Sequence, residues 1–302
     1  MTKKGAAAVT VVVALIAGGY FYAPVRLFAL KAVGRADVCP LPNALAAERN
    51  LQLQIRYKDD FLIHSKLLVK DPAGYHQWQT PRGTWWIPEG NDFVLPFNLA
   101  EQEREIYGTG EFAVHPGDVV LDCGGNVGVF TQTALQHGAR LVVAFEPAPE
   151  NIESYRRNFQ EQIAAGKVIL VPKGVWDKDD VLLLKRDPHN TAADSFIMLA
   201  DGTPGVQAPL TTIDEAVAAL KLDRVDYMKL DIEGAEQRAL EGARATLQKF
   251  RPRMSIATEH FATDGVLIPR KVRQIVPGYE VICGPCMERN DGHIRPDVLY
   301  FR

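Results

Sequence analysis

Residues 119–146 read VVLDCGGNVGVFTQTALQHGARLVVAFE, and this stretch decides the fold. The apolar run 119–121 predicts a buried strand that ends at Asp122. A tight turn carrying Gly124, Gly125 and Gly128 follows, then a helix over 127–137 closed by Gly138. A second apolar strand over 141–145 ends at Glu146. The pattern is a βαβ unit with an acid at the carboxyl end of both strands. Ligands of open parallel sheets bind beyond those ends. Glycines there let a ligand approach the backbone closely. A carboxylate about twenty residues past the glycine turn is placed to accept hydrogen bonds from a ribose diol. The stretch therefore predicts an adenosine-type cofactor held by Asp122, Gly124, Gly125, Asn126, Gly128 and Glu146.

The spacing of the glycines narrows the choice. A dinucleotide fold wants G-x-G-x-x-G, so that a helix start can receive a pyrophosphate. Asp122-Cys-Gly-Gly-Asn-Val-Gly128 lacks that spacing, and no Lys-Ser/Thr pair follows to make a phosphate loop. Asp122 would repel a pyrophosphate but attract the cationic end of S-adenosylmethionine. A methyl donor is favoured over a dinucleotide.

A second strand end lies at 226–236, DYMKLDIEGAE, with Asp231 at its tip and Glu233-Gly234 just beyond. Four motifs, DCGGNVGVFT (122–131), FEPAPENIESYRRN (145–158), TTIDEAV (211–217) and MKLDIEGAE (228–236), now stand in order along the chain. Together they resemble the FkbM-type family of S-adenosylmethionine-dependent methyltransferases, over roughly 117–259. The resemblance implies a class I methyltransferase fold: a Rossmann-like α/β domain with a seven-stranded, mostly parallel sheet and an antiparallel last strand. It also implies methyl transfer, usually to oxygen. Cys123-Gly124-Gly125 departs from the Ile-Gly-Ala more frequent in the family, but both changes are small and keep the turn.

The remaining pattern alternates as such a sheet requires. Helices are expected over 150–165, from Thr212 to Leu220 and over 235–248, with strands over 168–171, 253–258, 279–282 and 298–301. Gly174, Val175 and Trp176 follow the third strand and are placed to meet adenine. An alcohol attacking a methyl carbon must be held about 3 Å away and must lose its proton. Asp231, Glu233, Glu259 and His260, at the fourth and fifth strand ends, are the candidate bases. Asp231, Glu259 and His260 are the ones assigned to catalysis, His260 on its ordinary pKa and Asp231 on its motif. The same carboxylates leave Mg²⁺ open as a metal that would acidify a bound hydroxyl, although none is assigned. Ser195 and Asn190 lie in a polar loop, 187–209, that either touches the acceptor or satisfies its own backbone.

The chain has 302 residues, 47% hydrophobic and 24% charged, enough for one large α/β domain and a smaller element. A net charge of −3 gives no electrostatic case for nucleic acid. Four cysteines do not suggest a disulfide framework, and Cys283-Gly-Pro-Cys286 has no helix pattern behind it to make a redox motif. A zinc site at Cys283, Cys286 and His293 lacks a fourth ligand at motif spacing. Residues 5–25 are uncharged and apolar, long enough to cross about 30 Å of hydrocarbon as a helix. The expectation is a single-pass membrane anchor over 1–25, a signal peptide being the rival, with the catalytic body cytoplasmic because the cofactor is made there. A linker and small β-containing extension occupy 26–100, with a hairpin turning at Pro81-Arg82-Gly83 and Trp78, Trp85 and Trp86 either packing it or forming a platform. The methyltransferase domain is 101–302, with a capping helix near Glu101–Tyr107.

Three functions are therefore in contention: a membrane-anchored O-methyltransferase acting on a small-molecule, glycan or lipid-linked acceptor, a catalytically silent cofactor-binding scaffold, and a nicotinamide oxidoreductase.

Overall fold

The computed structural model describes residues 22–36, 38–187 and 189–302. The chain opens with three helices, α1 (Ala23–Ala32), α2 (Leu41–Leu45) and α3 (Ala47–His64). An antiparallel sheet of β1 (Lys66–Asp71), β2 (Tyr75–Thr80) and β3 (Gly83–Pro88) follows, and then α4 (Val94–Glu103). The Thr80↔Gly83 pairing closes the hairpin about Pro81-Arg82, as the sequence predicts.

The catalytic half runs β4 (Val119–Cys123), α5 (Val129–Gln136), β5 (Leu141–Phe145), α6 (Pro149–Asn158), α7 (Gln160–Ala164) and β6 (Val168–Val171). A small sheet of β7 (Gly174–Val175), β8 (Asp180–Lys185) and β9 (Gly205–Thr211) comes next. Then come α8 (Ile213–Ala219), β10 (Tyr227–Leu230), α9 (Glu236–Glu241), α10 (Arg244–Phe250), β11 (Arg253–Ala257) and α11 (Asp264–Ile275). The chain closes with β12 (Val281–Cys283), the hairpin β13 (Cys286–Glu288) and β14 (Ile294–Pro296), and β15 (Val298–Phe301).

The main sheet has seven strands in the order β12-β15-β11-β10-β4-β5-β6. Only β15 runs against its neighbours. The central strands are buried on both faces because helices cover both, which is why they read as unbroken apolar runs. Alternate residues feed two cores. Leu121, Met228 and Ile256 point to one face, and Val120, Val142 and Tyr227 to the other. Helix α8 begins where Thr212 caps it, its side chain accepting from the Glu215 amide.

Several expectations need correcting. Among the described residues no helix is long and apolar enough to cross a membrane, so the single-pass anchor over 1–25 is not supported. Residues 1–21 of that segment lie outside the described residues. The last part of it, from Ala23, instead starts α1, which runs on through the charged Arg26 and buries Leu27 against the body. The extension is more helical than expected. The helix α3 escaped the sequence reading because it is polar on average and buries only Ala47, Gln54 and Phe61. Helix 150–165 is two helices broken at Phe159, whose ring lies where a side chain on Gly128 would go. Helix 235–248 is broken near Gly242, where a Cβ would meet the Trp176 carbonyl at 2.0 Å. Loop 187–209 yields its end to β9.

The cysteines differ most. Cys286 forms a disulfide with Cys39, 247 residues away, and fastens the α1–α2 arm to the β13–β14 hairpin. Cys283 keeps its thiol, 3.5 Å from the Cys286 sulfur. A disulfide persists in oxidising surroundings, which does not accord with the cytoplasmic placement expected above.

Candidate active site

The carboxyl ends of β4, β5 and β10 open into a cleft of about 400 Å³, and a smaller cavity of about 60 Å³ lies against it. The two share Gly124, Asn126, Ala192, Asp231 and Glu233. The glycine turn forms their common edge. Gly124 has φ +84°, and a Cβ there would sit 1.9 Å from the Asp231 carbonyl oxygen, so β4 and β10 approach this closely only with glycine. Asn126 also takes a positive φ, 47°, and its amide donates to Glu146 Oε2 at 2.8 Å. Glu146 Oε1 accepts from the Ala148 amide at 2.9 Å. Burial pushes the Glu146 carboxyl up to about 7, against these hydrogen bonds.

The acids beyond β10 are held by an ordered neighbourhood. Tyr107 OH donates to Asp231 Oδ2 at 2.5 Å. Tyr107 is itself fixed, since its carbonyl accepts from Ser255 Oγ and Tyr227 OH, and Tyr300 OH donates to the Ile106 carbonyl at 2.8 Å. Lys229, almost wholly buried, donates to the Gly124 carbonyl at 2.7 Å and lies 3.4 Å from Asp122 Oδ1. Burial works against its charge, but Asp122 and Asp231 outweigh it and hold the ammonium above its ordinary pKa. Glu233 adopts φ +52° and Gly234 φ +92°, a strained turn that sets the Glu233 carboxylate at the cleft. Ser195 secures the turn by donating to the Glu233 carbonyl at 2.7 Å while accepting from the Met198 amide. Its role is therefore to satisfy backbone.

Of the residues assigned to the cofactor, Gly124, Gly125, Asn126, Glu146, Gly174 and Val175 line the two cavities. Asp122 does not. It is 0% exposed, with Thr131 Oγ1 donating to it at 2.7 Å and Lys229 beside it. Its carboxylate anchors the turn from beneath, because the strand's alternation turns it into the core. Gly128 is also away from the cleft and makes room for the Phe159 ring.

Of the catalytic candidates, Asp231 and Glu259 line the cleft and His260 does not. His260 Nδ1 faces Glu236 at 3.1 Å, and Nε2 faces Asp231 and Glu233 at 3.5 Å each. Burial lowers its pKa, yet Glu236 and Glu233 raise it well above the ordinary range. Its ring is clamped among three carboxylates, which favour the protonated form. The ordinary pKa on which His260 was chosen as a base is not the one this setting gives it.

Three of these groups also have the chemistry of a metal-ligand set. Asp231, Glu236 and His260 come close enough together to consider a metal. Glu259, paired with Arg289, is pushed up to about 7, chiefly by burial.

Three residues that line the cavities carried no sequence signal as such. Glu101 on α4 lines the cleft, and among the described residues its carboxylate meets no hydrogen-bond or ion-pair partner. Burial, then Asp231 and Glu259, hold it well above its ordinary pKa. Asp194 lines the smaller cavity with Oδ2 unpartnered, and burial pushes it up to about 7. Tyr107 came only from placing a cap near it. The tryptophans pack: Trp85 is buried and Trp78 donates to Asp92 at 2.9 Å.

A sheet of this order, with a glycine turn and acids converging at its carboxyl edge, defines a class I methyltransferase fold. The Methyltransferase FkbM domain matches residues 122–281, just over half of the chain, and the chain belongs to that family. It is similar to the 31-O-demethyl-FK506 methyltransferase FkbM of Streptomyces tacrolimicus, with 27% identity over 157 residues, covering 43% of this chain and 60% of that one. It is also similar to Methyltransferase 1 of Beauveria bassiana, with 26% identity over 154 residues, covering 44% and 61%. The chain thus matches about 60% of the length of these curated relatives. A crystal structure of Methyltransferase FkbM from Methylobacillus flagellatus aligns at TM-score 0.49 and 16% identity, covering 84% of this chain and 59% of that one.

Proposed function

We propose that this protein transfers a methyl group from S-adenosylmethionine to a hydroxyl oxygen of a small-molecule, glycan or lipid-linked acceptor. The observation that carries the reading is the pair of adjoining cavities, whose common wall holds the glycine turn and Asp231. The donor set suits a sulfonium nucleoside. Glu101, Asp231, Glu233 and Glu259 make the larger cavity acidic, and the smaller one is lined by Glu146, Gly174 and Val175. In this reading Glu146 accepts from the ribose diol, Gly174 and Val175 flank adenine, and the free Asp194 oxygen accepts from the adenine amine. Asp122 acts through Lys229 and the turn and does not touch the cofactor. Oxygen as the acceptor atom is supported by the Streptomyces relative, whose name specifies an O-demethyl substrate.

When bound, S-adenosylmethionine supplies an electrophilic methyl carbon. The residues of this chain position the acceptor and take its proton. Asp231, kept ionised by Lys229 and His260 against its burial, accepts a hydrogen bond from the acceptor hydroxyl and aims its oxygen. Glu259, with a pKa of about 7, is matched to receive the proton as the oxygen forms its new bond.

Calorimetry with S-adenosylmethionine, S-adenosylhomocysteine and NADH tests the cofactor. Binding of the first two and not the third is expected. NADH binding alone, or loss of no affinity on Glu146→Ala, would refute the assignment. Methyl transfer into a lipid or glycan extract that disappears with Asp231→Asn separates an enzyme from a silent scaffold.

A further inference from the structure

The larger cavity has a polar floor and an apolar mouth. Its floor carries Glu101, Asp231, Glu233 and Glu259. Its mouth is built by Leu62 of α3 and by Phe93 and Phe97 at the start of α4. These three are among the exposed large hydrophobics, at 49%, 56% and 42% of their surface. Large apolar side chains left in water around a concave polar site mark a ligand groove more often than a bare surface.

The charges of the cleft restrict its occupant further. The two cations lining it are both engaged: Lys229 with the Gly124 carbonyl and Asp122, and Lys58 with Asp59 at 2.8 Å. Four carboxyl groups face the space, and burial, then the Asp231 and Glu259 charges, raise the Glu101 pKa. A phosphate or carboxylate on the acceptor would enter this field with no unengaged cation to meet it among the described lining residues. Like charges brought together in so sheltered a site repel strongly.

We infer that the acceptor is an uncharged amphiphile: a hydroxyl-bearing head on the acidic floor, with an apolar chain or ring system lying across Leu62, Phe93 and Phe97. The inference rests on the methyltransferase reading for the word acceptor but not for the binding itself. It excludes phosphorylated sugars, nucleotides, acidic glycans and lipids joined to their sugar by a pyrophosphate.

Binding is measured by calorimetry on the full chain with and without S-adenosylhomocysteine, using n-octyl glucoside below its micellar concentration, glucose, and n-octyl phosphate. The octyl glucoside is expected to bind at least tenfold more tightly than either of the others. The double variant Phe93→Ser/Phe97→Ser is expected to weaken it at least tenfold and leave S-adenosylhomocysteine affinity within twofold. Val181→Ser, an exposed apolar position on β8, serves as the control and is expected to change neither. The inference is overturned if glucose or octyl phosphate binds as well as octyl glucoside. It is equally overturned if the double variant binds octyl glucoside unchanged, or if its only effect is to shift a monomer–dimer equilibrium. Failure of S-adenosylhomocysteine to bind, with octyl glucoside still captured through Phe93 and Phe97, would refute the cofactor reading and leave this one standing.

Discussion

Asp231 is held by Tyr107 OH on one oxygen and faces the His260 ring with the other. An Asp231→Asn change keeps the shape and removes the charge. It is expected to lower kcat by at least about a hundredfold, the scale of a lost acid–base or orienting group, with S-adenosylhomocysteine affinity changed by less than tenfold. Stopped methyl transfer with unchanged cofactor binding is the readout. Glu259 supplies a pH signature. Its active form is the carboxylate, and its pKa stands near 7, so kcat is expected to rise about tenfold per pH unit below neutrality and to level off above it. A pH–rate profile of Glu259→Gln should lose that limb; a limb that persists would place the base elsewhere. Gly124→Ala tests the turn. The added methyl group would meet the Asp231 carbonyl and force a left-handed residue. A loss of at least ~2 kcal/mol in urea unfolding is expected, together with lost cofactor binding.

At the scale of elements, the disulfide and the arm it fastens are the clearest test. Helices α1 and α2 reach the body through the small core of Leu27, Ala36, Cys39 and Ala44 against Cys286 and Ile294. So small a core holds the arm weakly by itself, and the cross-link over 247 residues removes much of the unfolded arm's freedom. Cys39→Ser is expected to cost about 3 kcal/mol, or less where the arm alone detaches. Non-reducing peptide mapping and limited proteolysis of residues 23–46 should show the arm released. An arm equally protected in the variant would mean that packing suffices. The Ile106–Tyr107 segment makes the same point about reach, being pinned by hydroxyls from β10, β11 and β15.

For the whole molecule, a ligand that binds only the folded state stabilises it by mass action. S-adenosylhomocysteine at a hundred times its Kd is expected to add about 2.7 kcal/mol and to raise Tm by roughly 5 °C for a domain of this size. A flat melting temperature across that range would count against the cleft as the cofactor site.

The sequence by itself determined the order of strands and helices, the glycine turn, and the acids at the strand tips, because these are short-range patterns of buried runs, helix stops and turn residues. Glu146, Asp231 and Glu259 were legible as residues beyond strand ends. What only the tertiary structure decided was which way each charge faces and what it meets. Asp122 turns inward because strand residues alternate and Lys229 waits beneath. His260 is drawn toward its protonated form because three carboxylates from another loop and helix surround it. Glu101, Asp194 and the Cys39–Cys286 bond depend on elements distant in the chain coming together, and no local pattern records that.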